Sequence, residues 1–261
     1  MTSFDPSITL GAYELGVLAS YALLGVTTTQ TYIYYGRFPH DPLRIKYLVA
    51  VIWLCEMAHA VCIGHTLYEM TVSNYEHPER LFLIPRTLAA AVLFSGIIGA
   101  FVQIFFSSRI YGISKSLYIP CLSWSLSFLR LLGSIIVCVY GFTMETIPAF
   151  ETQWAWLLNS LWSVASANDL IIAVTLVYWL HRQRSVADKR TVALVDKLVA
   201  WTIETGVVTS AAGLVTLICF ATMHENFIWL GCFVVAARLY PSIFKFPIGK
   251  SELQNRSPSD G

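Results

Sequence analysis

Six ionisable residues stand inside stretches that are otherwise apolar: Glu56, His59, Arg130, Asp169, Glu204 and Arg238. Carboxylates, an imidazole and guanidiniums in such surroundings could bind a polar ligand group, relay protons or protonate a substrate. Ionisable groups at bilayer depth point by default to function. At a helical rise of about 1.5 Å per residue, Glu56, Arg130, Asp169 and Arg238 fall near the middle of their stretches, and Glu204 roughly 5–10 Å to one side. Gln103 and Gln30 extend the polar set. A charge at the centre of a membrane helix costs about 2.5–3.5 kcal/mol to insert, so these groups are expected to face one another inside a bundle. Glu56, Asp169 and Glu204, the last turned inward, are the candidate buried acids. His59, Gln103, Arg130 and Arg238 are the candidate polar core, ligand-binding or structural. The competing reading is a set of ion pairs that only fix helix register and neighbours.

Spacing narrows the chemistry. Glu56 and His59 share a helix face, while His65 falls nearly opposite Glu56. Glu-x-x-His is the spacing of carboxylate di-iron bundles, which need a second copy and two further carboxylates. This chain offers one copy, so no metal site is expected, and a hydrogen-bonded Glu56–His59 pair is. Around Glu204 the sequence reads WTIETGVVTS. Gly206, Ser210 and Gly213 make a small-residue seam for close helix contact, and Thr202, Thr205 and Thr209 can bond carbonyls four residues earlier. Pro241 permits a kink.

The elements that would position these residues follow from composition. The chain has 261 residues, 56% hydrophobic and 13% charged, with mean hydropathy +0.62; soluble domains carry about 25% charged residues. The apolar residues fall into blocks near 11–35, 47–70, 87–108, 117–142, 154–180, 192–222 and 226–247. Crossing a bilayer core of about 30 Å takes roughly 20 helical residues. The predicted fold is therefore all-α, a bundle of seven transmembrane helices over residues 1–250, with a short polar tail at 251–261. Tyr32, Tyr34, Tyr35, Trp154, Trp156 and Trp179 lie at block ends, where amphipathic rings favour the membrane interface. Twelve Lys and Arg fall in alternate loops and the tail, against Arg80 and Arg86 on the other side. That bias predicts an external N-terminus and a cytosolic C-terminus, in the plasma membrane or an internal one. The start, MTSFDPSITL, lacks the basic segment of a cleaved signal peptide, so the first span is expected to stay.

A net charge of +1 without a basic stripe argues against nucleic acid as a partner. Cys55, Cys62, Cys121, Cys138, Cys219 and Cys232 all lie in apolar blocks without a CxxC pattern, which reads as packing. No cofactor is expected. The partners expected are the lipid bilayer and a hydrophobic small-molecule ligand or substrate; the sequence does not identify protein partners.

Several stretches together resemble a family of seven-pass membrane proteins of mushroom-forming fungi (basidiomycetes), defined by a conserved region of unknown function. They are TYIYYGRFPHD, CEMAHAVCIGHTLYEMTVSNYEHPERL, FVQIFFSSRIYGIS, ANDLIIAVTLVYWLHRQR, KRTVALVDKLVAWTIETGVVTS and ARLYPSIF. The chain departs from the family in having Glu56-Met57 where an Asp before a small residue is common. It also has Pro241-Ser242-Ile243 after Tyr240, where relatives often carry an Asn. The resemblance implies the topology and assigns no reaction.

Two functional classes remain. The topology and basic cytosolic loops suit a receptor-like or small-ligand-binding protein, although the third block ends in SSRIYG rather than Asp-Arg-Tyr and the seventh lacks Asn-Pro-x-x-Tyr. A retinal pigment would need a Schiff-base lysine in the middle of the seventh block; Arg238 stands there, and Lys245 only at its end. The alternative is an intramembrane enzyme of fungal secondary metabolism. An isoprenoid or terpene cyclase of that kind would use Glu56, Asp169 or Glu204 as its acid, with aromatic rings stabilising cations. A transporter is disfavoured because no internal repeat or pair of broken helices is evident. The predicted orientation has a direct test. The sequon Asn255-Arg256-Ser257 should carry no glycan when the chain is expressed in a glycosylating host, and a glycan at Asn255 would invert the topology.

Overall fold

Where water is absent, a chain must satisfy its own backbone N–H and C=O groups, and a helix does so within one segment. The apolar blocks accordingly fold as helices in the computed structural model, which describes residues 6–75, 80, 83–144, 146–184, 189–222 and 227–242. The α-helices among these are α1 (Pro6–Arg37), α2 (Leu43–Tyr68), α3 (Arg86–Ser114), α4 (Tyr118–Thr143), α5 (Ile147–Arg184), α6 (Lys189–Thr222) and α7 (Ile228–Ser242). One wider π turn, Glu69–Ser73, extends α2. The tail at 251–261, with its sequon, lies outside the described residues.

The helices start and stop where local chemistry lets them. Pro42 and Pro85 stand just before α2 and α3 in extended conformations, where a missing N–H costs nothing. Lys115 ends α3 in the left-handed region at φ 56°, its N–H bonded to the Tyr111 carbonyl at 3.0 Å. Several helices outrun the apolar blocks: α5 begins at Ile147 and α6 at Lys189. Apolar content marks what lipid would cover, whereas a helix continues into polar sequence until something caps it.

Five helices are long and apolar enough to cross a bilayer: α1 from Leu10, α2 with its π turn, α3, α4, and α5 over Thr152–Arg182. The described apolar stretches of α6 and α7, Gly206–Thr222 and Ile228–Leu239, are shorter. Large apolar side chains point outward along these helices, among them Leu15, Val61, Phe128 and Val174, while charged and amide groups are buried. That inverts the pattern of a water-soluble domain. The chain is an all-α, multi-pass membrane protein.

Consecutive helices pack side by side, α7 returns to α1, and α3 is innermost, touching α2, α4, α5 and α7. The core is divided along the bundle axis. One apolar cluster gathers Tyr13, Ile63, Val137, Leu158, Phe220, Trp229 and Phe233. A second gathers Ile52, Ile98, Phe106, Ile172 and Leu176. Between Ile52 and Ile63 on α2 come Glu56 and His59, so a polar layer separates the two halves. The helix pair α1–α7 meets backbone to backbone. A Cβ on Gly16 would lie 2.7 Å from the Gly231 Cα, and one on Gly231 would lie 2.5 Å from the Ala12 carbonyl oxygen. Both obstacles are backbone, so neither can swing aside. Gly231→Leu should lower the melting temperature of the purified protein sharply, since overpacking costs about 1–3 kcal/mol and occasionally more. Gly11→Leu, with open space around its Cβ position, should leave it unchanged.

Candidate functional site: buried polar clusters and an aromatic cavity

Arg238 on α7 is completely buried and joins three helices. Its Nη1 donates to Glu56 Oε2 on α2, and its Nε donates to Ser20 Oγ on α1 at 2.9 Å. Two tyrosines reinforce the α1–α2 contact, with Tyr13 donating to the Ile63 carbonyl at 3.2 Å and Tyr21 to the Ala60 carbonyl at 3.1 Å. The expected Glu56–His59 hydrogen bond is not formed: the carboxylate pairs with Arg238 instead. A buried carboxylate needs a full opposite charge more than a neutral imidazole. His59 is fully buried one turn along, and neither ring nitrogen has a hydrogen-bond partner among the described residues. Glu56 Oε1 and Arg238 Nη2 also lack one. Each such atom carries a desolvation penalty of about 1–3 kcal/mol.

A second cluster is built by α3, α4 and α5 around Gln103. Its Nε2 donates to Asp169 Oδ1 at 2.8 Å, and its Oε1 accepts from Ser127 Oγ at 3.0 Å. Asn168 Nδ2 donates to Ser127 Oγ at 3.1 Å, and Ser107 Oγ donates to Ser123 Oγ at 2.6 Å. Sequence reasoning missed Ser107, Ser123, Ser127 and Asn168, because single hydroxyls and amides are common in membrane helices. The one usable signal was Asn168 beside Asp169 on a helix whose Ser-rich neighbour repeats Ser123 and Ser127 at four-residue spacing. Arg130 lies one turn beyond Ser127 and lays its guanidinium against Gly99. A Cβ there would come within 2.5 Å of Nη1 and 2.7 Å of Cζ.

Glu204 joins neither cluster. Its side chain is exposed, which corrects the expectation that it turns inward. The seam explains why: Gly206 packs on Ala173 and Gly213 on Ser166, both on α5. At about 100° per residue, Glu204 lies half a turn out of phase with Gly213. A face cannot offer both. Within the seam Thr209 bonds the Gly206 carbonyl three residues back rather than four, at 3.4 Å. The side chains of Thr202 and Thr205 are not among those described.

Above the polar layer lies a cavity of about 80 Å³ between α3, α4, α5 and α7, several times the ~10–15 Å³ that admits one water. Aromatic rings form one wall. Trp162 packs edge-on to Phe220 at 5.2 Å and tilted against Trp229 at 6.1 Å and Phe233 at 6.3 Å. Ser95, Arg130, Ser134, Trp162 and Trp229 are the lining residues with polar side-chain atoms. A wider, more polar opening of about 690 Å³ adjoins it, lined by His65, Glu69, Arg86, Thr87 and Thr143. The two share Ile84 and Gly141. At this mouth His65 Nδ1 stands 3.4 Å from Thr87 Oγ1 and 3.8 Å from Glu69 Oε2, next to the π turn. Such turns recur at functional sites.

A family model matches one stretch of the chain. Residues 165–244 are similar to a family of unknown function, DUF6534. The DUF6534 stretch takes in the C-terminal part of α5, all described residues of α6, and α7. It therefore holds Asp169, the Gly206–Gly213 seam, Trp229 and Arg238, and it brings no reaction with it. No curated protein and no solved structure matches the chain.

The two kinds of acid should respond differently to mutation. Arg238→Leu strands the Glu56 carboxylate in the core and should cost about 3–5 kcal/mol, whereas Glu56→Leu combined with Arg238→Leu should recover much of the loss. Glu204→Leu should leave stability close to wild type. Thermal unfolding of the three variants in one detergent reads out all of these outcomes.

Proposed function

We propose that this is a seven-pass protein with an external N-terminus that binds a small hydrophobic ligand inside its helix bundle, in the manner of a receptor. The observation that carries this reading is the aromatic-walled cavity opening into a polar mouth. Concave, mostly apolar sites with a few convergent polar groups are the usual form of a small-molecule site. The mouth lies where α2 ends, α3 begins and α4 ends, at the helix ends that the Lys and Arg bias assigns to the outside. A ligand arriving from that side would pass His65 and Arg86 before reaching the rings of Trp162 and Trp229. The polar layer beneath, with Glu56 paired to Arg238 and Asp169 bonded to Gln103, ties together the helices that form the cavity walls. Occupancy in the outer half would thus bear on helix packing in the inner half.

The cyclase alternative asks for an acid in contact with the cavity. Among the described lining residues the charged group is a guanidinium, that of Arg130. Glu56 and Asp169 are engaged elsewhere, with Arg238 and Gln103 respectively. The geometry therefore favours binding over acid-initiated chemistry.

The test is a screen of small hydrophobic compounds against the full chain in lipid nanodiscs, read as an upward shift in melting temperature. At least one compound should stabilise the wild type. Val92→Phe, which fills the cavity from α3, should abolish that shift while the unliganded protein melts within a few degrees of wild type. Stabilisation that survives the filling substitution would place binding elsewhere.

A further inference from the structure

The polar side chains around the cavity are indoles, a guanidinium and two serine hydroxyls. Arg130, Trp162 and Trp229 can only donate. The Ser134 hydroxyl donates to the Arg130 carbonyl at 3.0 Å, which leaves its oxygen able only to accept, and the described lining includes no carboxylate. The indole of Trp229 is the telling group. It is 7% exposed, is held by ring contacts to Trp162 and Phe220 at 6.1 and 5.1 Å, and its Nε1–H has no partner among the described residues. A buried indole N–H normally finds an acceptor, and leaving one unmade costs about as much as a hydrogen bond is worth. Phenylalanine would supply a ring at that place without the penalty. Trp124 and Trp154 also carry unpartnered indole N–H groups, but neither lines the cavity.

We infer that the ligand is a compact apolar molecule bearing a hydrogen-bond-accepting oxygen, of the ketone or aldehyde type, and that Trp229 recognises that oxygen. The inference rests on the ligand-binding role proposed for the cavity and adds its chemical class. The apolar body packs among Val92, Leu158, Leu161 and Phe233, and the oxygen accepts from the indole N–H. A hydrocarbon of the same shape fills the same space but leaves the donor unsatisfied.

Cyclohexanone and methylenecyclohexane differ by a carbonyl oxygen for a methylene group at nearly constant shape, and serve as the probe pair. Dissociation constants are measured on the full chain in lipid nanodiscs, each corrected against empty discs. The ketone should bind about fivefold tighter than the alkene, the contrast expected for one satisfied hydrogen bond. Trp229→Phe should erase that preference by weakening the ketone and leaving the alkene unchanged, and Val92→Phe should weaken both. Equal binding of the pair to the wild type, or a preference that survives Trp229→Phe, overturns the assigned ligand class while the cavity remains a binding site. Failure of both probes to bind the wild type overturns the assigned ligand class, and the binding role falls with it only if the compound screen also finds no stabilising ligand. The wild-type comparison stands whether or not Trp229→Phe folds.

Discussion

A guanidinium at the centre of a bilayer-spanning bundle has no water to turn to, and its partners must come from the protein. Arg238 takes a carboxylate from α2 and a hydroxyl from α1, so its own helix can sit only where those two meet. The closure of α7 against α1 depends on that requirement, and the backbone contact at Gly16 and Gly231 lets the helices come near enough to meet it. The pair adds little net stability compared with a well-packed apolar substitute. Its effect is on specificity, because any slip of α7 by one residue would rotate the charge by about 100° away from its partners.

The same logic operates in α3, α4 and α5, with neutral groups carrying most of it. Gln103 is bonded on both sides of its amide, to Asp169 and to Ser127, which fixes three helices at one level. The two apolar clusters then pack independently on either side of this layer. The cluster around Ile98 and Leu176 fills its space mostly with branched aliphatic side chains. The cluster around Trp229 and Phe233 uses indole and phenyl rings that meet edge to face, and large rigid rings leave voids that small flexible side chains would close.

Much of this was legible in the sequence. Apolar blocks of membrane length announced an all-α membrane protein, and five of them are helices that meet the length and composition for crossing. Charges placed mid-block gave Glu56, Arg238 and Asp169 as residues that must find company. Which company was not legible, because partner choice depends on helix rotation and on tertiary neighbours. His59 shows this, since sharing a face with Glu56 did not make it the partner. Glu204 is different. Its phase relative to Gly206 and Gly213 was present in the sequence, and 3.6-residue periodicity applied to the seam would have turned it outward. The cavity lay beyond sequence reading altogether, being made from residues on four helices whose individual identities are those of ordinary packing.

The bond from Arg238 to Ser20 spans 218 residues, and this has a bearing on biosynthesis. At about 5–20 residues per second, a ribosome takes roughly 10–40 s to make the intervening chain. Throughout that interval α1 has left the ribosome while α7 does not exist. Ser20, the open backbone at Gly16 and the Glu56 carboxylate all wait, exposed to lipid, to the insertion machinery or to other nascent helices. A chaperone or translocon surface able to shelter a carboxylate at mid-membrane depth would serve this protein for that half-minute. Stop codons or truncations that remove the last helix would leave a full-length-looking bundle with an orphan acid, the kind of defect membrane quality control detects and degrades.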